Sequence, residues 1–159
     1  MKSYYQTPLG WVIIEATEQG IEAVSVRDEK PTFQLEQHPL LEQCKQQLDE
    51  YFAEKRQTFD LLLAPKGTDF QQRVWQELLK IPFGKTQTYL QMAKRLGDEK
   101  VIRAAASANG KNPLWIIVPC HRVIGSDGSL TGYAGGLWRK RWLLDHEQKV
   151  ATGSSWSLF

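Results

Sequence analysis

Cys120 is the residue of this chain whose surroundings best suit a nucleophile. It follows the apolar run 114–118 and Pro119, where the chain leaves a predicted core, and His121 and Arg122 come directly after it. Cationic or hydrogen-bonding neighbours lower the pKa of a thiol and so produce the reactive thiolate. We therefore expect Cys120 to be a reactive thiolate, with His121 and Arg122 as the candidates for lowering its pKa.

A cysteine–histidine pair needs a third group to orient the imidazole, and a carboxylate commonly has this role. Asp145 and Glu147 on the predicted last helix are both candidates. Because adjacent side chains of an extended chain point apart, His121 would reach the Cys120 proton only through a water or a turn. The same pattern fits a buried structural cysteine, which is the more common case, and we assign Cys44 to that class. Local residues alone leave both interpretations of Cys120 open.

The chain around Cys120 is predicted to be mostly helical. Caps at Thr68 or Asp69, at Thr88 and at Asp98 predict three helices, over about 69–81, 88–96 and 98–109. The last two have the spacing of a helix-turn-helix, although a plain helical hairpin also fits. Small residues surround Arg103 on the third helix: Ala104, Ala105, Ala106, Ser107 and Ala108. Such a helix can press against a DNA groove or against another helix.

The N-terminal part has a different pattern. Strands are predicted over 3–15, 20–27 and 59–63, and a helix over 39–55. With 65–67 as a linker, this indicates an N-terminal α/β domain over 1–64, a second domain over 68–150 and a tail over 151–159. Within the second domain we expect a buried strand or extended segment over 114–118, a flexible loop over 125–136 and a last helix that ends near Glu147, before Gln148.

The net charge of +2 is unevenly distributed over the 159 residues. Residues 1–66 carry 7 Lys/Arg and 11 Asp/Glu, whereas residues 67–159 carry 13 and 7. The basic second part suggests a polyanionic partner, although chance variation would also explain it. Two cysteines are too few for a disulfide framework, and no Cys/His cluster indicates zinc. Without a signal-peptide or membrane-spanning pattern, we expect a reducing cytoplasm.

Several motifs together resemble the O6-alkylguanine-DNA alkyltransferases, also called methylated-DNA–protein-cysteine methyltransferases, of the bacterial type. Pro119-Cys120-His121-Arg122-Val123 is similar to their active-site signature, which is highly specific. The resemblance covers about residues 4–148 and is strongest from 68 onward. The further matching segments are Thr7–Gly10, Gly84–Tyr89, Arg103, Asn112-Pro113, Tyr133, Gly135-Gly136 and Trp142–Glu147.

The resemblance implies a fold and an activity. The fold is a ribonuclease-H-like N-terminal domain followed by a mostly helical domain with a helix-turn-helix, which is an α/β (α+β) architecture. The activity is irreversible, single-use transfer of an alkyl group from O6 of guanine, and also from O4 of thymine, to Cys120. The partner is double-stranded DNA with a flipped lesion base. We expect a monomer that uses no cofactor and no metal, and possible cooperativity on DNA is left open.

The resemblance also implies residue roles. His121 is a water-mediated base held by Glu147, and Asn112 stabilises the turn that links the site to the helix-turn-helix. Tyr89 donates to the leaving guanine and contacts the 3′ phosphate. The remaining DNA-binding residues implied are the arginine finger Arg103, Ala104 beside it, and Ser126 and Tyr133 at the pocket wall.

Three positions depart from the family pattern. Ala134 stands where many members have Ser, and its backbone N–H is expected to donate instead. Trp115 stands where some members have Pro, and its ring is expected to narrow the range of alkyl groups or to add a stacking wall. Asn109 replaces an apolar residue of some relatives, with no consequence that the sequence indicates.

Three other functions fit parts of the pattern. A non-catalytic alkyltransferase-like protein would bind the lesion and signal to other repair systems, but such proteins lack the nucleophile. A transcription regulator with a fused alkyltransferase domain would need further domains, for which this chain has no room. A cysteine hydrolase would leave the helix-turn-helix unexplained.

Overall fold

The N-terminal strands form an antiparallel meander. In the computed structural model, which describes residues 1–130, 133 and 135–153, β1 (Lys2–Thr7), β2 (Gly10–Thr17) and β3 (Gly20–Arg27) pair in the order β1-β2-β3. The predicted single strand over 3–15 is therefore wrong. It is divided by a turn in which the Thr7 hydroxyl accepts from the Leu9 N–H and donates to the Gly10 carbonyl, and Gly10 adopts a φ of 126°.

One helix covers the buried face of this sheet. Helix α1 (Pro39–Phe52) begins after His38, whose imidazole Nδ1 accepts from the Leu40 N–H, and it has proline in its first turn. The apolar residues on its inner face include Leu41, Cys44, Leu48 and Tyr51. The helix ends three residues earlier than predicted, because the chain reverses at Glu54 with a φ of 65°.

The predicted strand over 59–63 is wrong. Only Leu63 pairs with the sheet, in an isolated parallel bridge to Ile21. The Gln47 side chain accepts from the N–H of Asp60 and donates to its carbonyl, both at 2.9 Å. Because this side chain from α1 satisfies the backbone at Asp60, the segment has no need of a strand partner there.

The predicted strand or extended segment over 114–118 is buried, but it is made of turns. Leu114 forms one bridge to Val24, and Ile116 has a φ of 68°, which breaks any strand. The first of two compact units comprises Met1–Lys66 together with Pro113–Ile117, and the second comprises Gly67–Asn112 and Val118–Phe159. The domain limits 1–64, 68–150 and 151–159 stay a prediction.

The second unit contains helices α2 (Asp69–Leu78), α3 (Tyr89–Arg95), α4 (Ile102–Gly110) and α5 (Leu137–Thr152). Thr68 and Thr88 each cap their helix in a reciprocal capping box, as predicted from their types. Asp98 caps a short 3₁₀ turn, Glu99–Val101, which leads into α4. Helices α3 and α4 are thus joined by a tight turn, in the arrangement of a helix-turn-helix.

A short parallel pair joins the helix-turn-helix to the chain beyond Cys120. Strand β4 (Gln87–Thr88) immediately precedes α3, and it pairs with β5 (Val123–Ile124). Helix α2 packs against α4, where the Trp75 indole N–H donates to the Ala108 carbonyl. Helix α5 continues past Gln148 to Thr152, beyond the predicted end. The remaining tail, 154–159, lies outside the described residues.

Candidate active site

Cys120 lies in a 3₁₀ turn, Cys120–Arg122, and not in an extended segment. Pro119 has a ψ of 62°, and the Cys120 N–H donates to the Val118 carbonyl at 2.8 Å. The turn removes the side-chain alternation of a strand. It leaves Cys120 only 7% exposed and buries His121 completely.

His121 is held by a carboxylate from the last helix. Its Nε2 lies 2.6 Å from Glu147 Oε2, and both side chains are buried. Asp145, the other candidate, instead pairs with Lys149 one turn away on the same helix. The Nδ1 atom of His121 is buried and has no hydrogen-bond partner.

The charges of this buried pair are strongly perturbed. Burial lowers the pKa of His121 below its usual 6.5, and Arg122 and Lys140 lower it further, against the opposing effect of Glu147. Burial alone would raise the pKa of Glu147, but His121 and Arg122 hold it well below its usual range. The pair at neutral pH is thus a carboxylate and a neutral imidazole. With Nε2–H donated to Glu147, the lone pair is on Nδ1, where the imidazole can accept a proton.

That Cys120 reacts as a thiolate, with His121 as its water-mediated base, stays a prediction. Burial raises the pKa of the Cys120 thiol above its usual value, and this effect outweighs the groups that lower it. The groups that lower it are Asn112, Lys140, the backbone N–H of Cys120 itself and Tyr133, and they do not include His121 or Arg122. Arg122 cannot serve because its guanidinium is turned to Glu147. The resting group is a thiol, so proton removal is a step of the reaction.

Lys140 is a member of the site that the sequence did not indicate. Its side chain is fully buried, and its ammonium donates to the Val123 carbonyl at 2.6 Å. Its Nζ also lies 5.9 Å from the ring centroids of both Tyr89 and Tyr133. Burial lowers the pKa of Lys140 to about 8, with Cys120 opposing that shift. A usable signal was its position seven residues before Glu147, which places both side chains on one face of α5.

Two asparagines connect the end of α4 to the Cys120 turn. The Asn112 amide donates to the Val118 carbonyl at 2.8 Å. The Asn109 amide is buried and lies 3.5 Å from the Cys120 carbonyl, a long contact, while its Oδ1 has no partner. Asn109 therefore has a position in the site that its type alone did not indicate.

The predicted DNA-binding residues lie on different elements of the second unit. Tyr89 is the first residue of α3 and, like Tyr133, is half-buried beside Lys140. Arg103 and Ala104 are exposed on α4. Ser126 is exposed in the segment 125–129, which was predicted to be flexible but forms a turn in which the Gly125 N–H donates to the Ser129 carbonyl.

The remaining expectations concern other parts of the chain. Ala134 lies outside the described residues, and Trp115 is buried with an indole N–H that has no partner. In the described ranges, no group of three or more His, Cys, Asp or Glu side chains could hold a metal ion. None of the helices in those ranges is long and apolar enough to cross a membrane.

Comparisons with known proteins identify the family of this chain. Residues 1–65 match the ribonuclease-like domain of 6-O-methylguanine DNA methyltransferase, and residues 69–149 match its DNA binding domain. The constitutive methylated-DNA–protein-cysteine methyltransferase of Bacillus subtilis is 46% identical over 158 residues, covering 92% of this chain and 96% of the relative. The methylated-DNA–protein-cysteine methyltransferase of Methanosarcina barkeri is 43% identical over 148 residues, covering 90% and 94%.

A solved structure extends the agreement to three dimensions. The crystal structure described as Mycobacterium tuberculosis OGT in complex with DNA is 40% identical, covers 92% of each chain and superposes with a TM-score of 0.84. The predicted fold class is confirmed. On the matches over both domains, the chain belongs to the 6-O-methylguanine DNA methyltransferase family.

Proposed function

We propose that this protein repairs DNA by moving a methyl or other alkyl group from O6 of guanine to the sulfur of Cys120, once per molecule. The family membership supports direct alkyl transfer, and the observation that carries the assignment to Cys120 is the buried thiol beside a neutral, oriented His121. A non-catalytic lesion-binding role is not favoured, because the nucleophile is present. O4 of thymine is proposed as a second, related substrate atom.

The reaction follows from the protonation states. His121 Nδ1 takes the thiol proton through a bridging water, while Glu147 holds Nε2–H and stabilises the imidazolium that forms. The thiolate attacks the alkyl carbon from behind, so that the S–C bond forms as the C–O6 bond breaks. Asn112, Lys140 and Tyr133, the groups that lower the Cys120 pKa, stabilise the anionic sulfur until it reacts.

The leaving guanine carries the negative charge that the sulfur loses. Tyr89 is proposed to donate its hydroxyl proton to this base and to regain a proton through water from the His121 imidazolium, so that the net result is the transfer of one proton from sulfur to guanine. The Lys140 ammonium lies 5.9 Å from the Tyr89 ring centroid, where its positive charge stabilises the negative charge that develops during this proton transfer. The thioether at Cys120 has no leaving group, so the protein is spent after one event.

Access to the lesion requires that the nucleotide leaves the base stack. The O6 alkyl carbon in a duplex is shielded from in-line attack, so the base must be extruded. Arg103 is proposed to fill the resulting gap, and the exposed small residue Ala104 to let α4 approach the minor groove. Ser126 and Tyr133 are proposed to border the pocket. The protein is expected to act as a monomer, in a reducing compartment that keeps Cys120 free.

Incubation with a duplex that contains O6-methylguanine tests this proposal. A methyl-sized mass gain on the Cys120 peptide is expected in the native protein and absent in Cys120→Ala. The same variant should bind duplex DNA with nearly native affinity, since phosphate contacts dominate such binding. A folded native protein that binds the duplex without gaining a methyl group would refute alkyl transfer, and loss of DNA binding by Cys120→Ala would assign Cys120 a structural role.

A further inference from the structure

The side chain of Arg122 is buried and is held by groups of its own chain. Its Nε donates to Glu147 Oε1 at 2.7 Å, and one terminal nitrogen donates to Glu147 Oε2 at 3.1 Å. The other terminal nitrogen donates to the Ile81 carbonyl at 2.7 Å, and the guanidinium lies 5.7 Å from the Phe83 ring centroid. This two-point geometry matches guanidinium to carboxylate and fixes the plane of the Glu147 carboxylate.

We propose that Arg122 is a positioning residue that sets both the orientation and the charge state of the His121–Glu147 pair, so that His121 enters the reaction as a neutral base. This inference rests on the proposed function, because it assigns a role within the same proton transfer. Glu147 Oε2 accepts from both His121 Nε2 and one Arg122 nitrogen, so the neutral imidazole and the guanidinium share one oxygen.

The charges around His121 must balance, because the site is buried. The charged or titratable groups acting on His121 are Glu147 and Lys140 from α5 and Arg122 from its own turn, with Cys120 next in the chain. Without Arg122, the buried Glu147 carboxylate would have the imidazole as its nearest possible counter-ion. A buried carboxylate favours the protonated form of such a neighbour, and a protonated His121 cannot accept the thiol proton.

With Arg122 in place, the charge of Glu147 is already balanced by a group that does not lose its proton. The imidazole can then stay neutral while it keeps the short hydrogen bond that orients it. Arg122 is also attached to the Ile81 carbonyl, so it does not follow Glu147 if the carboxylate moves. The competing interpretation is that Arg122 only fastens the chain near Ile81 to α5.

Arg122→Met and Arg122→Lys separate these interpretations, with Arg56→Met as a matched control. Arg56 pairs with Glu50 at 2.9 Å in the N-terminal unit, so its removal breaks an arginine–glutamate pair away from the site. The readout is the rate of single-turnover methyl transfer to Cys120 between about pH 5.5 and pH 8, the range in which histidine titrates.

Arg122→Met should shift the acidic limb of the pH–rate profile to higher pH by about one unit or more. At a given pH on that limb, this shift is about a tenfold loss of rate. The loss should diminish as the pH rises, because His121 then becomes neutral. Arg122→Lys keeps the charge, so its limb should stay at the native position while the rate falls by a similar factor at every pH. Arg56→Met should leave the profile unchanged.

A measurement on the native protein does not depend on whether the variants fold. Nitrogen NMR of His121, assigned with His38→Gln and His146→Gln, should show one proton on Nε2 and a neutral ring at neutral pH. A protonated His121 in the native protein, a uniform rate loss in Arg122→Met, or a shifted limb in Arg122→Lys would overturn the proposal. Failure of the proposed function is distinguishable, because the native protein would then not methylate Cys120 at all.

Discussion

Lys140→Met tests whether the buried charge of Lys140 lowers the stability of the folded protein. The Lys140 ammonium is fully buried and donates to the Val123 carbonyl at 2.6 Å. A pKa lowered from 10.5 to about 8 means that the protonated side chain costs the folded protein about 3 kcal/mol at neutral pH. Lys140→Met also loses the hydrogen bond to Val123, which lowers the free energy of unfolding by about 1 kcal/mol and offsets part of this gain. The free energy of unfolding should therefore increase by about 2 kcal/mol at pH 7.

The sign of this effect reverses with pH. A lysine whose pKa is lowered in the folded state destabilises the protein fully below that pKa, and the penalty disappears as pH rises from about 8 to 10.5. The gain in the free energy of unfolding from Lys140→Met should therefore shrink across this window. Above it, the variant should be less stable than the native protein by about 1 kcal/mol, because its hydrogen bond to Val123 is still missing. Methyl transfer should fall most below about pH 8, where Lys140 is protonated and its cation stabilises the Cys120 sulfur, and the loss should shrink above that pH.

Urea unfolding at pH 7 and at about pH 10.5, with the rate of methyl transfer measured in parallel, checks both parts. Lys149→Met is the matched control, because Lys149 is exposed and makes only a surface pair with Asp145. That variant should change the free energy of unfolding by less than about 0.5 kcal/mol at either pH. A Lys140→Met protein that is less stable than the native one by the same amount at both pH values would refute the reasoning.

Three further substitutions test the positions around the site. Gly84→Ala should lower the free energy of unfolding by about 1–3 kcal/mol, because Gly84 has a φ of 78° and a Cβ would lie 2.6 Å from Ala151 Cβ; native stability in urea would contradict this. Asn112→Ala should cost about 1 kcal/mol by removing one of the two donors to the Val118 carbonyl, and should slow transfer; an unchanged rate would exclude a link to the site. Arg103→Ala should slow transfer from duplex DNA and not from a single-stranded oligonucleotide; equal losses on both would contradict a role in extrusion.

Features encoded by short stretches of sequence could be predicted. Thr68, Thr88 and Asp98 were expected as caps from their types, and each accepts a backbone N–H at a helix start. Cys120 could be singled out because its motif, 119–123, is local. The candidates for its orienting carboxylate could be reduced to Asp145 and Glu147 on the predicted last helix. The family and fold class followed from the same motifs and are confirmed.

Features that depend on contacts between residues distant in the sequence could not be predicted from it. The segment near Asp60 has the composition of a strand, but the Gln47 side chain from α1 satisfies its backbone. The protonation state of Cys120 depends on burial and on Lys140, twenty residues away along the chain. Arg122 follows Cys120 closely, yet only the fold shows that it faces Glu147.

The measurement that tests the central claim most directly is the stoichiometry and location of the transferred group. Native protein treated with an excess of duplex containing O6-methylguanine should gain one methyl group per chain, on Cys120, and should repair no further lesions. Cys44 should stay unmodified, because it is fully buried and its pKa is raised by burial to about 12. Repair of more lesions than there are protein molecules, or a methyl group on Cys44 and not on Cys120, would contradict a single-use acceptor at Cys120.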